Sequence, residues 1–267
     1  MTELLTFLAG LPTPVAGFLG SLSAGVMSGV GAAMILFVDT RSERAEVLLL
    51  GFSAGIMLAA TSFSLIVPGI EAAEAAGAGA FEAAFIIAAG VMLGGVALWV
   101  INERAPHEHF VGGHEGPPSE SLSRMWLFVI AITLHNFPEG LAVGVGFGGD
   151  QVDNGVPLAI GIGLQNIPEG FVVALALASE GYSRGRAIWI GLLTGLVEPV
   201  GGLVGAAAVT VSAAVLPWGM AFAAGAMLFV ISGEMIPETH RERRGVLPTF
   251  GILAGFVVMM VLDIGLG

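Results

Sequence analysis

The sequence predicts an all-α membrane protein: a bundle of eight transmembrane helices that takes up residues 1–267 as a single domain. Three observations carry the prediction: a mean hydropathy of +0.91, a charged fraction of 11%, and apolar runs long enough to cross a bilayer. Soluble domains carry about 25% charged residues. About 20 apolar residues in a helix span a hydrocarbon core of about 30 Å. The composition therefore excludes a water-soluble fold.

Charge and cysteine content exclude further classes. The chain has 21 acidic and 9 basic residues, a net charge of −12, whereas nucleic-acid binding requires a basic surface. There is no cysteine, so neither a disulfide framework nor a thiolate metal site is available. The first residues carry Glu3 and no basic flank, so we expect no cleaved signal peptide.

Eight apolar segments mark the predicted spans. All connections between them are short except 103–124, a polar loop rich in Pro, Gly and Ser. The 41 glycines suit a tightly packed bundle, because small residues let helix backbones approach closely within a bilayer, and they also permit a homodimer. Spans 1 to 8 are 14–38, 47–70, 80–102, 125–148, 155–179, 186–211, 215–237 and 246–266.

The distribution of arginine predicts the orientation in the membrane. With eight spans, every basic residue falls in a connection that follows an odd-numbered span, whereas the other side carries acidic residues such as Glu71, Glu74 and Asp153. The positive-inside rule puts the arginine side in the cytoplasm. We therefore expect a multi-pass protein of the inner or plasma membrane with both termini outside and loop 103–124 inside. The basic residues are Arg41, Arg44, Arg104, Arg124, Arg184, Arg186, Arg241, Arg243 and Arg244.

A six-residue motif occurs in two consecutive spans, thirty residues apart. Span 4 contains His-Asn-Phe-Pro-Glu-Gly at 135–140, and span 5 contains Gln-Asn-Ile-Pro-Glu-Gly at 165–170. The two spans cross in opposite directions, so the copies form a local inverted repeat of the kind from which transporters build a central site.

Each copy of the motif combines ligand side chains with a helix-breaking residue. His135 and Glu139 are four residues apart and share one helix face, as Gln165 and Glu169 do. The proline before each glutamate lacks an N–H and is expected to open the helix there. His135 lies eleven residues past Arg124, the arginine just before span 4, which is about 16 Å along a helix, so we expect the two copies to meet near the membrane midplane.

Span 6 adds a third carboxylate at similar depth, Glu198, which again precedes a proline. Three carboxylates at one depth would repel one another, and a divalent cation among them removes that conflict. Imidazole with carboxylates and amides suits zinc and neighbouring first-row metals. The residues alone leave other interpretations open: protonated glutamates in helix contacts, a proton relay or proton-coupled carrier, and an intramembrane metal-dependent hydrolase, although the sequence lacks H-E-x-x-H.

At these residues the sequence resembles the ZIP (Zrt/Irt-like) family of metal transporters, in its GufA-type prokaryotic branch. The resemblance extends over essentially the whole chain. It implies inverted repeats in a 3+2+3 arrangement and import of a divalent metal ion into the cytoplasm. Zinc is the leading candidate for the transported ion, with cadmium, iron and manganese as alternatives. The metal would be a substrate rather than a cofactor, and the chain would not be an enzyme.

The resemblance also implies a binuclear metal site supplied mainly by spans 4 and 5. Gln165 and Asn166 are neutral amides. Several members of the family have histidine at the position of Gln165, and some have aspartate at the position of Asn166. The ligands implied for the first ion are Met57, His135, Gln165 and Glu169, and those for the second are Asn136, Glu139, Asn166 and Glu198, with Glu139 and Glu169 near both.

Further residues are candidates for the path to and from this site. Ser64 lies on the same face as the span 2 methionine, toward the outside, whereas Glu234 and His240 lie toward the cytoplasm at the end of span 7. The loop after span 3 carries three histidines within eight residues, which either collect metal after release or belong to a solvated polar loop. They are His107, His109 and His114.

Overall fold

A computed structural model of the chain describes residues 6–8, 10–37, 43–104, 107–109, 113–115, 124–148, 152–212, 214–240 and 246–266. We number the long helices after the predicted spans and divide three of them at irregular segments. They are α1 (Thr13–Ala33), α2a (Glu43–Ala60), α2b (Val67–Ala75), α3 (Ala80–Arg104), α4 (Arg124–Gly146), α5 (Val152–Ser179), α6a (Arg184–Gly195), α6b (Glu198–Val211), α7a (Val215–Val230), α7b (Ile236–Thr239) and α8 (Leu247–Leu266).

Seven stretches of the described residues are helices long and apolar enough to cross a membrane. They run through α1, α2, α3, α5, α6, α7 and α8, which confirms the prediction of a helical, multi-pass membrane protein. Helix α4 has 23 residues and coincides with predicted span 4, but it is not among the seven. The total of eight spans therefore stays a prediction.

Two π-helical segments interrupt α2 and α7. Thr61–Ile66 joins α2a to α2b, and Ile231–Met235 joins α7a to α7b. A proline occupies the second position of the helix that follows each segment, Pro68 in α2b and Pro237 in α7b. Because proline lacks an N–H, it cannot donate to the preceding turn, and a wider turn is one way to accommodate that loss. Single π turns within α-helices occur often at functional sites.

Helix α6 is divided in the middle of the bundle. Its first half ends at Gly195, and the second begins at Glu198, with Pro199 in the first turn, where a missing N–H costs nothing. In contrast, α4 continues through Pro138 and α5 through Pro168. The expected opening at those two prolines is thus confined to a lost backbone hydrogen bond within a continuous helix.

Burial places α5 at the centre of the bundle. Of its most apolar stretch 78% is buried, against 22% for α3 and for α8, which lie at the periphery. Helix α1 packs against α5 and both halves of α6, and α4 packs against α6b. The two helices that carry the doubled motif are therefore enclosed by α1 and α6.

The last residue of each motif copy allows this close packing. A Cβ atom on Gly140 would lie 2.1 Å from the Glu198 carbonyl oxygen, and one on Gly170 would lie 1.9 Å from the Ser28 carbonyl oxygen. Both distances are far below van der Waals contact, so only glycine lets α4 reach α6b and α5 reach α1 at these points.

Part of the polar loop forms regular structure that the sequence does not predict. Strand β1 (His107–His109) pairs antiparallel with β2 (Gly113–Glu115), with His107 opposite Glu115, and β1 lies against α4. The rest of 103–124, except Glu103, Arg104 and Arg124, lies outside the described residues. So do four of the arginines on which the predicted orientation depends, Arg41, Arg241, Arg243 and Arg244.

Candidate metal site

Both copies of the motif and the span 6 carboxylate are buried inside the bundle. A carboxylate removed from water costs several kcal/mol unless hydrogen bonds or a cation compensate its charge, so each of these groups requires a partner. The exposed fraction is at most 5% for all of them: His135, Asn136, Glu139, Gln165, Asn166, Glu169 and Glu198.

Glu169 is oriented from one side by helix α2a. The hydroxyl of Ser53 donates a hydrogen bond to Glu169 Oε1 over 3.1 Å, and the His135 ring lies close enough to attract the carboxylate. Met57 follows Ser53 by one helical turn and is 1% exposed. Ser53 and Met57 therefore lie on one face of α2a, one turn apart.

Asn166 connects three helices. Its Nδ2 donates to Glu198 Oε1 over 2.6 Å and to the Ala24 carbonyl oxygen of α1 over 2.9 Å. Its Oδ1 accepts a hydrogen bond from Gln165 Nε2 over 3.1 Å. Glu198 also lies in the first turn of α6b, where the helix dipole favours negative charge.

Glu139 has the least compensation of the three carboxylates. Neither of its oxygens accepts a hydrogen bond from the described residues, although the Gln165 side chain lies near enough to stabilise its charge. The carboxylates of Glu169 and Glu198 are both close enough to repel it. The two motif copies and Glu198 thus form a centre that concentrates negative charge around Glu139, which has no donor among the described residues.

Glu139 shares this feature with four neighbouring side chains, each of which has a buried acceptor atom that accepts no hydrogen bond from the described residues. A cluster of acceptors without donors is the environment that a bound cation satisfies. The atoms are Asn136 Oδ1, both carboxylate oxygens of Glu139, Gln165 Oε1, Glu169 Oε2 and Glu198 Oε2.

The acidic and imidazole side chains contact different partners in this structure. Among the described residues, no three His, Asp or Glu side chains form a cluster that could hold a metal ion. Their contacts explain why: His135 Nε2 contacts Glu234 Oε2, one oxygen of Glu169 is held by Ser53, and one of Glu198 is held by Asn166. Amide and thioether groups make up the rest of the expected ligands.

Glu234 contacts the metal-site residue His135 directly. From the sequence we expect Glu234 only on the path to the cytoplasm. It lies in the π segment of α7, contacts the His135 ring, and accepts a hydrogen bond from Asn102 Nδ2 over 3.1 Å. Asn102 is 2% exposed in the last turn of α3. Sequence reasoning overlooks Asn102 and Ser53 because a single amide or hydroxyl in an apolar span usually serves helix packing.

The other two path candidates lie apart from this contact. Ser64, in the π segment of α2, donates to Asp263 Oδ1 of α8 over 2.5 Å, and its carbonyl oxygen accepts from Asn154 Nδ2 over 3.1 Å. His240 is exposed, and its Nδ1 lies 2.9 Å from Thr239 Oγ1 and 3.0 Å from the Ile236 carbonyl oxygen. Asp263 is thus paired, and the described contacts of His240 lie within its own segment.

Comparisons with known proteins agree on one family. The family model described as ZIP Zinc transporter matches residues 102–263. The chain is 50% identical over 252 residues to the zinc transporter GufA of Myxococcus xanthus, covering 94% of this chain and 99% of that protein. It is 44% identical over 249 residues to the zinc transporter ZIPB of Bordetella bronchiseptica, covering 93% and 81%.

The similarity extends to animal proteins. The human zinc transporter ZIP11 is 33% identical over an alignment of 333 residues, gaps included. The alignment covers 93% of this chain and 96% of that protein. These matches cover 93–94% of this chain and 81–99% of each relative, which confirms the resemblance that the doubled motif indicates. The chain belongs to the ZIP family of zinc transporters.

Proposed function

We propose that the chain carries a divalent metal ion, zinc first, across the membrane through the centre between α4, α5 and α6. The observation that carries this proposal is the group of buried acceptor atoms without donors on Glu139, Gln165, Glu169 and their neighbours. A divalent cation supplies the missing positive charge and bonds to oxygen and imidazole nitrogen alike. The names of the relatives support zinc as the cargo.

The proposed ligands fall into two groups. The first consists of Met57, His135, Gln165 and Glu169, and the second of Asn136, Glu139, Asn166 and Glu198. The resemblance implies one ion for each group. For His135 to bind metal, its ring nitrogen has to exchange Glu234 for the ion, so Glu234 competes with the cargo and is well placed to receive it next.

Internal symmetry supports the arrangement of eight spans as 3+2+3. Under an inverted relation of spans 1–3 to 6–8, α2 corresponds to α7, α3 to α8, and α4 to α5. The observed packing respects this: α1 with α5 matches α6b with α4, and α2a with α8 matches α7a with α3. The π segments of α2 and α7 also correspond. Such repeats move against each other in alternating access.

The direction of transport follows from the predicted orientation. The arginine side faces the cytoplasm and both termini face outward, in the plasma or inner membrane. Metal enters near Ser64 and Asp263, reaches the centre, and leaves past Glu234 and His240. A homodimer is compatible with the small-residue surfaces. The comparisons give no support to the metal-dependent hydrolase, because the relatives are named transporters.

Uptake into sealed proteoliposomes tests the proposal. The chain should take up zinc, and the double variant His135→Ala, Glu169→Ala should reduce uptake to the level of empty liposomes. Glu74→Ala, at an exposed position outside the site, serves as the matched control and should transport like the wild type. Unchanged uptake by the double variant would defeat the site assignment, and competition by cadmium, iron and manganese ranks the cargo.

A further inference from the structure

Asn166, one of the residues proposed for the second ion, already has its amide engaged by protein groups. Both of its N–H groups are used, one by Glu198 Oε1 and one by the Ala24 carbonyl oxygen. Its oxygen faces Gln165 Nε2 instead of the second group of proposed ligands. The side chain that would contribute an oxygen to a second ion therefore directs partially positive hydrogens at Glu198.

The orientation of this amide is determined by its neighbours. Exchanging its oxygen and nitrogen would set an oxygen 2.9 Å from the Ala24 carbonyl and 2.6 Å from a carboxylate oxygen, two acceptors that offer no hydrogen. It would also set an NH₂ against the NH₂ of Gln165. Three contacts thus agree on a single orientation for a side chain that is fully buried.

The charge of the centre favours the same conclusion. Two dications beside Glu139, Glu169 and Glu198 would leave surplus positive charge in the membrane interior, where uncompensated charge is costly. One dication leaves a single negative charge, and Glu198 is already stabilised by the Asn166 amide and the start of α6b. Aspartate in place of Asn166 would add the negative charge that a second dication requires.

We infer that the centre of this chain holds one divalent ion, bound by the first group together with Glu139, and that the Asn166 amide replaces a second ion beside Glu198. The inference rests on the proposed function and narrows it. Both oxygens of Glu139, Gln165 Oε1 and Glu169 Oε2 accept no hydrogen bond from the described residues, and the same holds for Asn136 Oδ1 and Glu198 Oε2. Glu198 differs in that its other oxygen is hydrogen-bonded by the amide of Asn166, a residue of the second group itself.

Metal stoichiometry of the purified full-length protein tests the inference. The background carries His107→Ala, His109→Ala and His114→Ala, so that the loop contributes no bound metal. After equilibrium dialysis against zinc, elemental analysis should find about one ion per chain, and about two in the same background with Asn166→Asp. Asn166→Ala, which removes the amide without adding charge, should stay at about one.

The outcomes separate the inference from the proposed function. Two ions in the unsubstituted centre, or one ion in Asn166→Asp, would overturn the inference while leaving transport intact. No bound zinc in any variant, or bound zinc that is not lost on adding His135→Ala and Glu169→Ala, would overturn the proposed function itself.

A spectroscopic measurement on the wild-type centre covers the case in which Asn166→Asp does not fold. Loaded with Mn²⁺, a single-ion centre should give the electron paramagnetic resonance spectrum of an isolated ion. Two ions about 3.5–4 Å apart, as in two-metal sites, would give a spin-coupled spectrum instead. The coupled spectrum would overturn the inference.

Discussion

Ser53 shows how a single hydroxyl shapes the centre. It is fully buried, lies one turn before Met57, and donates to one oxygen of Glu169, whereas the other oxygen accepts no hydrogen bond from the described part of the chain. A carboxylate held in this way presents one defined lone pair to a cation instead of rotating between positions. Orienting a ligand from behind is a general way in which proteins tune metal affinity.

Ser53→Ala is expected to weaken metal binding without abolishing transport. Loss of one hydrogen bond of about 1 kcal/mol corresponds to a rise of about fivefold in the KM for zinc uptake, with maximal uptake little changed. Ser53→Thr keeps the hydroxyl and should restore the wild-type KM. Ser62→Ala removes a hydroxyl that bonds only the Leu58 carbonyl of its own helix and serves as the control. Equal KM values for Ser53→Ala and Ser62→Ala would argue against the orienting role.

Some residues of the centre could be predicted from the sequence, whereas others are recognisable only in the structure. The doubled motif and Glu198 stand out because carboxylates, an imidazole and prolines are rare in apolar spans and recur at one spacing. The contact of His135 with Glu234 is not predictable, because it depends on how α7 approaches α4. Asn102 is likewise recognisable only once Glu234 is seen to accept its hydrogen bond.

At the scale of elements, glycine determines which helices touch. Gly94 of α3 and Gly225 of α7a face each other's helices: their Cβ atoms would lie 1.9 Å from the carbonyl oxygens of Phe222 and Val91. Gly55 and Gly255 do the same between α2a and α8, at 2.0 and 1.9 Å from backbone oxygens. The α3–α7a pair and the α2a–α8 pair correspond to each other under the proposed inverted symmetry.

Gly225→Ala is expected to lower thermal stability. The added methyl would meet the backbone of α3, which cannot move aside as a side chain can, so the helices have to separate at a cost of about 1–3 kcal/mol or more. The melting temperature in detergent should fall. Gly95→Ala is the matched control, because its nearest contact would be 3.7 Å away. An unchanged melting temperature for Gly225→Ala would show that α3 and α7a do not pack this closely.

Helix positions were predictable from hydropathy, whereas interruptions within helices were only partly so. The start of α6b beside Pro199 agrees with the proline at that place, yet Pro138 and Pro168 lie inside continuous helices. The difference lies in the surroundings, because α4 and α5 are packed on several sides and retain their other backbone hydrogen bonds. The π segments of α2 and α7 have no signature in residue spacing and become visible only from the backbone.

At the scale of the whole molecule, the fold encloses three carboxyl groups within an apolar shell. The peripheral helices α3 and α8 are apolar and mostly exposed, whereas α5 is largely buried. Burying three carboxyl groups inside a membrane protein carries an energetic cost, which a bound cation offsets. The family assignment and the geometry of the doubled motif therefore point to the same region of the molecule.

Anomalous diffraction from crystals of the full-length protein grown with zinc tests the metal site most directly. We expect an anomalous peak between α4 and α5, with the oxygens of Glu139 and Glu169 at zinc–oxygen bonding distances of about 2.0–2.2 Å and His135 turned away from Glu234. Crystals that contain zinc only at the surface, with His135 still held by Glu234 and the acceptors of the centre bound to protein donors or water, would contradict it.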